Sequence, residues 1–271
     1  MPVPTPSDRS RSRSLRRLRA GLAALVAPVL LVGALTATDG SRAAADVPAS
    51  ATGASVAAAV APGDVVGDGS VRYGSQRNID GGNWAGVVVR RGTFTSVSAS
   101  WTEPKVSCTH HNNLMAPWVG IDGWDSNTVQ QTGVETSCHN GQARYRGWYE
   151  MYPEPPVYYR NTVKAGDKIT ASVSRVGGRY TLKLTNHTRH WTRTTVRHAD
   201  ADHTSAEIAL ESPSGRYPKF STLTFTGASA NKRPVTRYPL LRLDASTSTH
   251  KQNHTATVTP TGRFTISYKH E

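Results

Sequence analysis

The feature that most constrains this chain is a recurring short segment in which β-branched or apolar residues alternate with polar ones. Such segments run from Gly86 to Val89, Phe94 to Trp101, Tyr145 to Met151, Lys168 to Val176, Tyr180 to Leu184 and Thr192 to Arg197, then from Ser205 to Leu210, Leu223 to Thr226, Thr255 to Thr259 and Phe264 to Tyr268. Alternation places every second side chain on one face of a strand. Turn formers separate the segments, notably Asp122-Gly123, Asn140-Gly141, Gly177-Gly178 and Thr261-Gly262, and no amphipathic helix of normal length interrupts them. The pattern predicts an all-β, antiparallel domain; spacing alone leaves a sandwich and a barrel both open.

The start of the chain has a different character. Residues 1–20 carry six arginines and a single acid, Asp8, followed by an apolar run from Gly21 to Ala37 that contains Pro28. The run is shorter than the roughly 18–20 residues of a spanning helix and leads to small-residue sites at Ala37 and at Ala43-Ala44-Ala45. Residues 1–45 are read as a secretory signal, which implies a secreted, extracellular protein with no stable membrane association once the signal is removed. Arg16-Arg17 leaves both the general and the twin-arginine export routes open. Residues 46–77, rich in Ala, Gly, Val and Ser, are read as a low-complexity linker or pro-segment, and residues 78–271 as one domain of ordinary size.

Of the formal charge of +13, removal of seven basic and two acidic leader residues leaves about +8. These charges are dispersed, with no basic block longer than Arg90-Arg91 or Lys232-Arg233, so no nucleic-acid partner is expected. The expected state is a monomer. The two cysteines, Cys108 and Cys138, are too few for structural zinc and are candidates for one disulfide outside the cell.

Common hydrolytic signatures are absent: there is no GxSxG and no HExxH. His187, His190, His198 and His203 bracket Asp200 and Asp202, but their spacing follows no strict ligand pattern, so they read as exposed histidines. Neither a metal nor another cofactor is expected. The unusual composition lies instead in six blocks: Asn83-Trp84-Ala85-Gly86, Ser100-Trp101-Thr102-Glu103-Pro104, Trp118-Val119-Gly120-Ile121-Asp122-Gly123, Gln131-Thr132-Gly133, Gly147-Trp148-Tyr149-Glu150-Met151-Tyr152-Pro153 and Ala206-Glu207-Ile208. In order and approximate spacing they resemble the glutamic peptidases (eqolisins, the G1 family), from about Asn83 to the C-terminal strand.

The resemblance implies a β-sandwich of two bent antiparallel sheets, concanavalin-like, with substrate lying in a concave groove. It also implies hydrolysis of peptide bonds in polypeptides by a Glu and a Gln, which by motif fall on Glu207 and Gln131. Gln130 is adjacent, but the Thr-Gly that follows sets the register on Gln131. Trp118, Asp122 and Glu150 are the implied neighbours of that pair.

The chemistry of these residue types agrees. An amide resists hydrolysis because water is a poor nucleophile and an amine a poor leaving group; a carboxylate can take a proton and later return it. A carboxamide can orient water through its C=O and steady an oxyanion through its NH2. Along Ala206 to Glu211, alternation puts Glu207, Ala209 and Glu211 on one face, so Glu211 is expected to raise the pKa of Glu207 by like-charge repulsion if that face is the groove. Trp84 and Trp101 are expected in the core, Trp118 in the groove, and Asp122 as an acid that holds a neighbour by hydrogen bonding. Glu150 is placed in the groove. Arg146, where the acidic relatives tend to carry an acid, is expected to keep the working carboxyls ionised to lower pH if it reaches the groove.

Two other classes stay open at this point. A Trp-lined sandwich also suits a non-catalytic secreted module that binds carbohydrate or peptide, and a histidine-based metallohydrolase predicts sensitivity to chelators. Asn186-His187-Thr188 and Asn253-His254-Thr255 are glycosylation sequons.

Overall fold

The computed structural model describes residues 73–110 and 112–271; the expected signal and nearly all of the expected linker lie outside the described residues. The strands in chain order are β1 (Gln76–Asp80), β2 (Trp84–Arg90), β3 (Ser96–Thr102), β4 (Val106–Ser107), β5 (Leu114–Ile121) and β6 (Val129–His139). They continue with β7 (Gln142–Tyr152), β8 (Val157–Thr162), β9 (Lys168–Val176), β10 (Arg179–Asn186), β11 (Trp191–His198) and β12 (Ser205–Glu211). The remainder are β13 (Lys219–Phe220), β14 (Leu223–Ala230), β15 (Arg233–Pro234), β16 (Leu240–Asp244), β17 (Asn253–Thr255) and β18 (Phe264–Tyr268). Among the described residues the one helical element is a 3-10 turn, Val235–Arg237.

Two large sheets form a sandwich. The first runs β1-β16-β2-β12-β5-β6-β7-β8, and the second β11-β10-β9-β3-β14-β18-β17, with β15 paired to β14. Pairing is antiparallel throughout, except for β1 beside β16. Alternation decides what lies between the sheets. Val119, Ile121, Val134, Ile208 and Leu210 of the first sheet share one core with Val97, Trp101, Val173, Leu182, Leu184 and Phe225 of the second, each large side chain contributing about 1.5–3 kcal/mol by leaving water.

The sequence-based strands recur with small shifts, except that Thr255 to Thr259 overlaps a strand only at Thr255, since β17 ends there. Residues 114–121 and 129–139, which lacked a strand assignment, form two of the central strands. Their alternation is hidden because β2, β5, β6 and β12 are buried on both faces. Pro117, Gly120 and Gly133 further obscure the pattern.

The tip of the β6–β7 hairpin is Asn140-Gly141, and both residues have positive φ, 49° and 74°. That is the conformation a two-residue I′ turn demands and Asn-Gly supplies. Next to it Cys138 is bonded to Cys108 across 30 residues of sequence, with Cα atoms 5.3 Å apart. Closing a loop of that length contributes about 3–4 kcal/mol.

Candidate active site

The cross-strand register assembles the candidate site in rows. Glu207 on β12 lies opposite Gly120 on β5, Gly120 opposite Gln131 on β6, and Gln131 opposite Glu150 on β7. Directly paired residues project to the same face of a sheet. All four positions therefore belong to the outer face of the first sheet, turned away from the inter-sheet core. Gln130, one residue out of phase, is buried on the core side. Glu207 and Gln131 are separated by one strand, and that strand contributes a glycine. Neighbouring strands are about 4.8 Å apart, so the two residues stand on either side of a glycine whose face is covered by the Trp118 ring edge and Val129. A Cβ added to Gly120 would lie 2.7 Å from Trp118 Cζ3 and 3.1 Å from Gln131 Cβ.

Glu207 is fully buried, yet not in the core between the sheets. The segment between β5 and β6 is held against it: the Trp124 backbone N–H donates to Glu207 Oε1 at 3.4 Å, and the Trp124 carbonyl accepts from the Ser205 hydroxyl at 3.5 Å. Glu207 Oε2 has no hydrogen-bond partner. Burial pushes the Glu207 carboxyl well above the usual carboxylate range, against the opposing influence of Ser205 and the Trp124 N–H. The nearby charge that raises it further is Asp122. This corrects the expectation for Glu211, whose charge bears on Glu150 and Tyr217 instead.

Gln131 is 5% exposed, and its Nε2 donates to Glu150 Oε2, while Oε1 is buried without a partner. The carboxamide is thereby oriented, with its C=O and one N–H uncommitted. Burial raises Glu150 to about 7; the Gln131 hydrogen bond opposes this and the Glu211 charge adds to it. Half-buried Glu211 accepts from Asn83 Nδ2 at 3.0 Å, and its carboxyl is raised by burial, with the Trp84, Asn83 and Trp118 side chains acting in the other direction.

Trp118 sits on the site face, packed with Trp148, Val129, Ala116 and Ala209. Trp84 is placed here too, edge-on to Trp118 with ring centroids 5.0 Å apart, rather than in the inter-sheet core where the sequence reading put it. Trp101 is in that core and donates its indole N–H to buried Glu103 at 2.8 Å. Asp122 holds backbone: its carboxylate accepts from His203 N and Thr204 N, both at 2.9 Å, so it fixes the approach to β12 and hence to Glu207.

Arg146 reaches the site face, but the expected effect on the working carboxyls is not what it produces. Its guanidinium pairs with Glu135 at 2.6 Å and lies 3.8 Å over the Tyr158 ring. The carboxyls of Glu150, Glu207 and Glu211 are raised, not lowered. Both sequon asparagines are fully buried, and Asn186 donates to Asp167 at 2.8 Å; neither side chain is open to a glycan in the folded chain.

The sequence profile of the Peptidase A4 family matches residues 82–268, most of the chain. The chain belongs to that family. It is 30% identical over 179 residues to aspergillopepsin-2 of Aspergillus niger, an alignment covering 55% of this chain and 64% of that relative, slightly under two thirds of its length. Its fold is similar to that of scytalido-glutamic peptidase, solved with a transition state analog inhibitor, at a TM-score of 0.62 and 21% identity over 70% of this chain and 99% of that one. It is also similar to aspergilloglutamic peptidase from Aspergillus niger, at a TM-score of 0.51 and 24% identity over 58% and 99%. Within this Peptidase A4 member, Trp124 and Ser205 are the site neighbours that reasoning from sequence missed. The signal for Trp124 was a large aromatic directly after the Asp122-Gly123 turn, where no strand needs one.

Proposed function

We propose that this protein is an exported, monomeric endopeptidase that hydrolyses polypeptides through Glu207 and Gln131 with an activated water. The observation that carries this reading is the Glu207–Gly120–Gln131 row, which brings a carboxyl and an oriented carboxamide to one face of the sheet, a single strand apart. Family membership supports the reaction class, and the transition state analog in the scytalido-glutamic peptidase structure supports a peptide-like substrate. Among the described residues no helix is long and apolar enough to cross a membrane, and the Arg-rich leader supports export.

In this mechanism ionised Glu207 takes a proton from water as the water oxygen bonds to the scissile carbonyl carbon. The carbonyl oxygen becomes an oxyanion, stabilised by the uncommitted N–H of Gln131, while Gln131 Oε1 orients the water. Protonated Glu207 then gives its proton to the amide nitrogen as the C–N bond breaks, releasing an amine and a carboxylic acid and restoring the carboxylate. The raised pKa of Glu207 suits both halves, since a group titrating closer to the working pH gives and takes a proton with less penalty. Substrate reaches Glu207 past the Trp124 segment, and Glu150 keeps the carboxamide aimed.

The test is hydrolysis of a denatured protein across acid and neutral pH. Glu207→Gln and Gln131→Ala are each expected to lose at least ~10²-fold in kcat/KM. Full activity in either variant contradicts its assigned role, and no hydrolysis by the parent protein contradicts the reaction class.

A further inference from the structure

The outer face of the first sheet continues beyond the dyad, and its character changes along β6 and β7. The row after Gln131–Glu150 contains Ala209, Trp118, Gly133, Trp148 and Tyr158, with no charged group. Beyond it stand Glu135 opposite Arg146 and then Ser137 opposite Arg144. Here the surface opens into a cavity of about 450 Å³ whose lining includes Asn113, Leu114, Glu135, Ser137, Arg144 and Arg146. The acid in that lining is already engaged at both oxygens, by Arg146 and by the Tyr158 hydroxyl. Arg146 is held in place by that ion pair and by the Tyr158 ring, with further N–H donors to offer. Exposed Arg144 has no acidic partner among the described residues. The cavity thus presents one guanidinium without an acidic partner, that of Arg144, beside the Arg146–Glu135 pair and at the end of an aromatic row.

We propose that this cavity binds a carboxylate of the substrate chain, through Arg144 with Arg146 beside it, four to six residues from the bond that is cut. The inference rests on the peptidase reading above. Glu135 is four residues along β6 from Gln131 and Ser137 is six. At about 3.4 Å per residue the cationic pair stands roughly 13–20 Å from the dyad, and an extended peptide lying along β6 spans that distance in the same number of residues. Guanidinium groups match carboxylates in shape and donor geometry. The carboxylate can be a Glu or Asp side chain or the terminal carboxylate of a short peptide.

The experiment measures kcat/KM on matched peptides carrying Glu or Gln at each position from the sixth before to the sixth after the cleaved bond. A second set ends within this window as free acid or amide. The expected result is about tenfold preference for the carboxylate at one or two positions four to six residues away on one side, weakening in high salt. Arg144→Gln is expected to erase the Glu/Gln preference, and Arg144→Glu to invert it in favour of Gln. If only the free-acid peptides show the preference, the source is the chain terminus; if the internal Glu peptides show it, the source is a side chain. Equal cleavage of Glu and Gln peptides at every position, or a preference that survives unchanged in both variants, overturns the carboxylate site alone. Cleavage of no peptide at all overturns the peptidase reading on which it rests.

Discussion

Gln131 and Glu150 face each other across β6 and β7, and the carboxamide N–H of the first donates to the carboxyl of the second. A carboxamide has two chemically different ends, and this contact decides which end faces the neighbouring strand. In the proposed mechanism Glu150 therefore acts through Gln131. Glu150→Ala is expected to lower kcat by about 10–100-fold with KM little changed, because the carboxamide loses its aim. Glu150→Gln keeps an acceptor and is expected to retain most of the activity, while removing any limb of the pH–rate profile near pH 7, where Glu150 titrates. Equal losses in both variants would point to simple packing.

Gly120, between Glu207 and Gln131 in the row, lets the Trp118 ring edge and Val129 approach the backbone closely. A methyl group there meets Trp118 Cζ3 at 2.7 Å and Val129 Cγ2 at 3.0 Å. Gly120→Ala is expected to cost about 1–3 kcal/mol of stability by overpacking and to abolish most activity while leaving the fold intact. Denaturant titration and kcat/KM on the same preparation check both parts, and a fully active Gly120→Ala variant contradicts a need for this close packing beside the proposed dyad.

Burial is the largest cause of the raised Glu207 pKa, and the Trp124 segment is held against that carboxyl. If Glu207 is the general base proposed above, it must be ionised, so the rate is expected to climb with pH through that pKa, and a raised value places the climb above the ordinary carboxylate range. Trp124→Ala removes an indole packed near Val88, Leu241 and Leu243 and loosens the segment. Admission of water lowers the pKa, so the ascending limb is expected to move down by about one pH unit. An unmoved limb argues that other residues keep Glu207 dry.

Glu103 lies in the core between the sheets, hydrogen-bonded to Trp101 and Thr136, and burial raises its carboxyl to about 8. Below about pH 4.5 it is protonated in both folded and unfolded chains. Between about 4.5 and 8 the unfolded chain releases the proton and the folded chain keeps it, so stability falls as pH rises across that window. Asp244 acts in the opposite sense: against burial, bonds from the Thr255 backbone, Asn78, Lys251 and His254 hold it at about 2. Its contribution is complete above the ordinary value of 3.8 and is lost as pH falls through about 2. The combined contribution of these two groups is greatest near pH 4. Thermal unfolding of Glu103→Gln between pH 4 and 8 is expected to show a shallower decline, and an unchanged slope would remove Glu103 as a cause.

Much of this arrangement was legible in the sequence. Strict alternation marked β9, β10 and β18, and the motif blocks singled out Glu207, Gln131 and Trp118. The Thr-Gly after Gln131 selected the glutamine that shares a face with Glu207, whereas Gln130 is one residue out of phase and buried. The central strands β5 and β6 were not legible as strands, because chain covers both of their faces and a strand buried twice has no polar side to alternate. Trp84 was misplaced for the same reason: on a sheet with two covered faces, an apolar side chain does not reveal which cover it joins. The partner of Arg146 was equally hidden, because Glu135 meets it only through the β6–β7 register.

That register begins at a two-residue tip nine positions from Gln131. Asn140-Gly141 closes the hairpin with His139 opposite Gln142, and every later pair follows from that first one. One extra residue in the bend would shift the ladder by a step and leave Gln131 without Glu150 across from it. The length of a solvent-facing loop thus sets which side chain stands opposite Gln131, and a single insertion at the surface would separate the proposed carboxamide from Glu150 with every residue of the candidate site still in the chain.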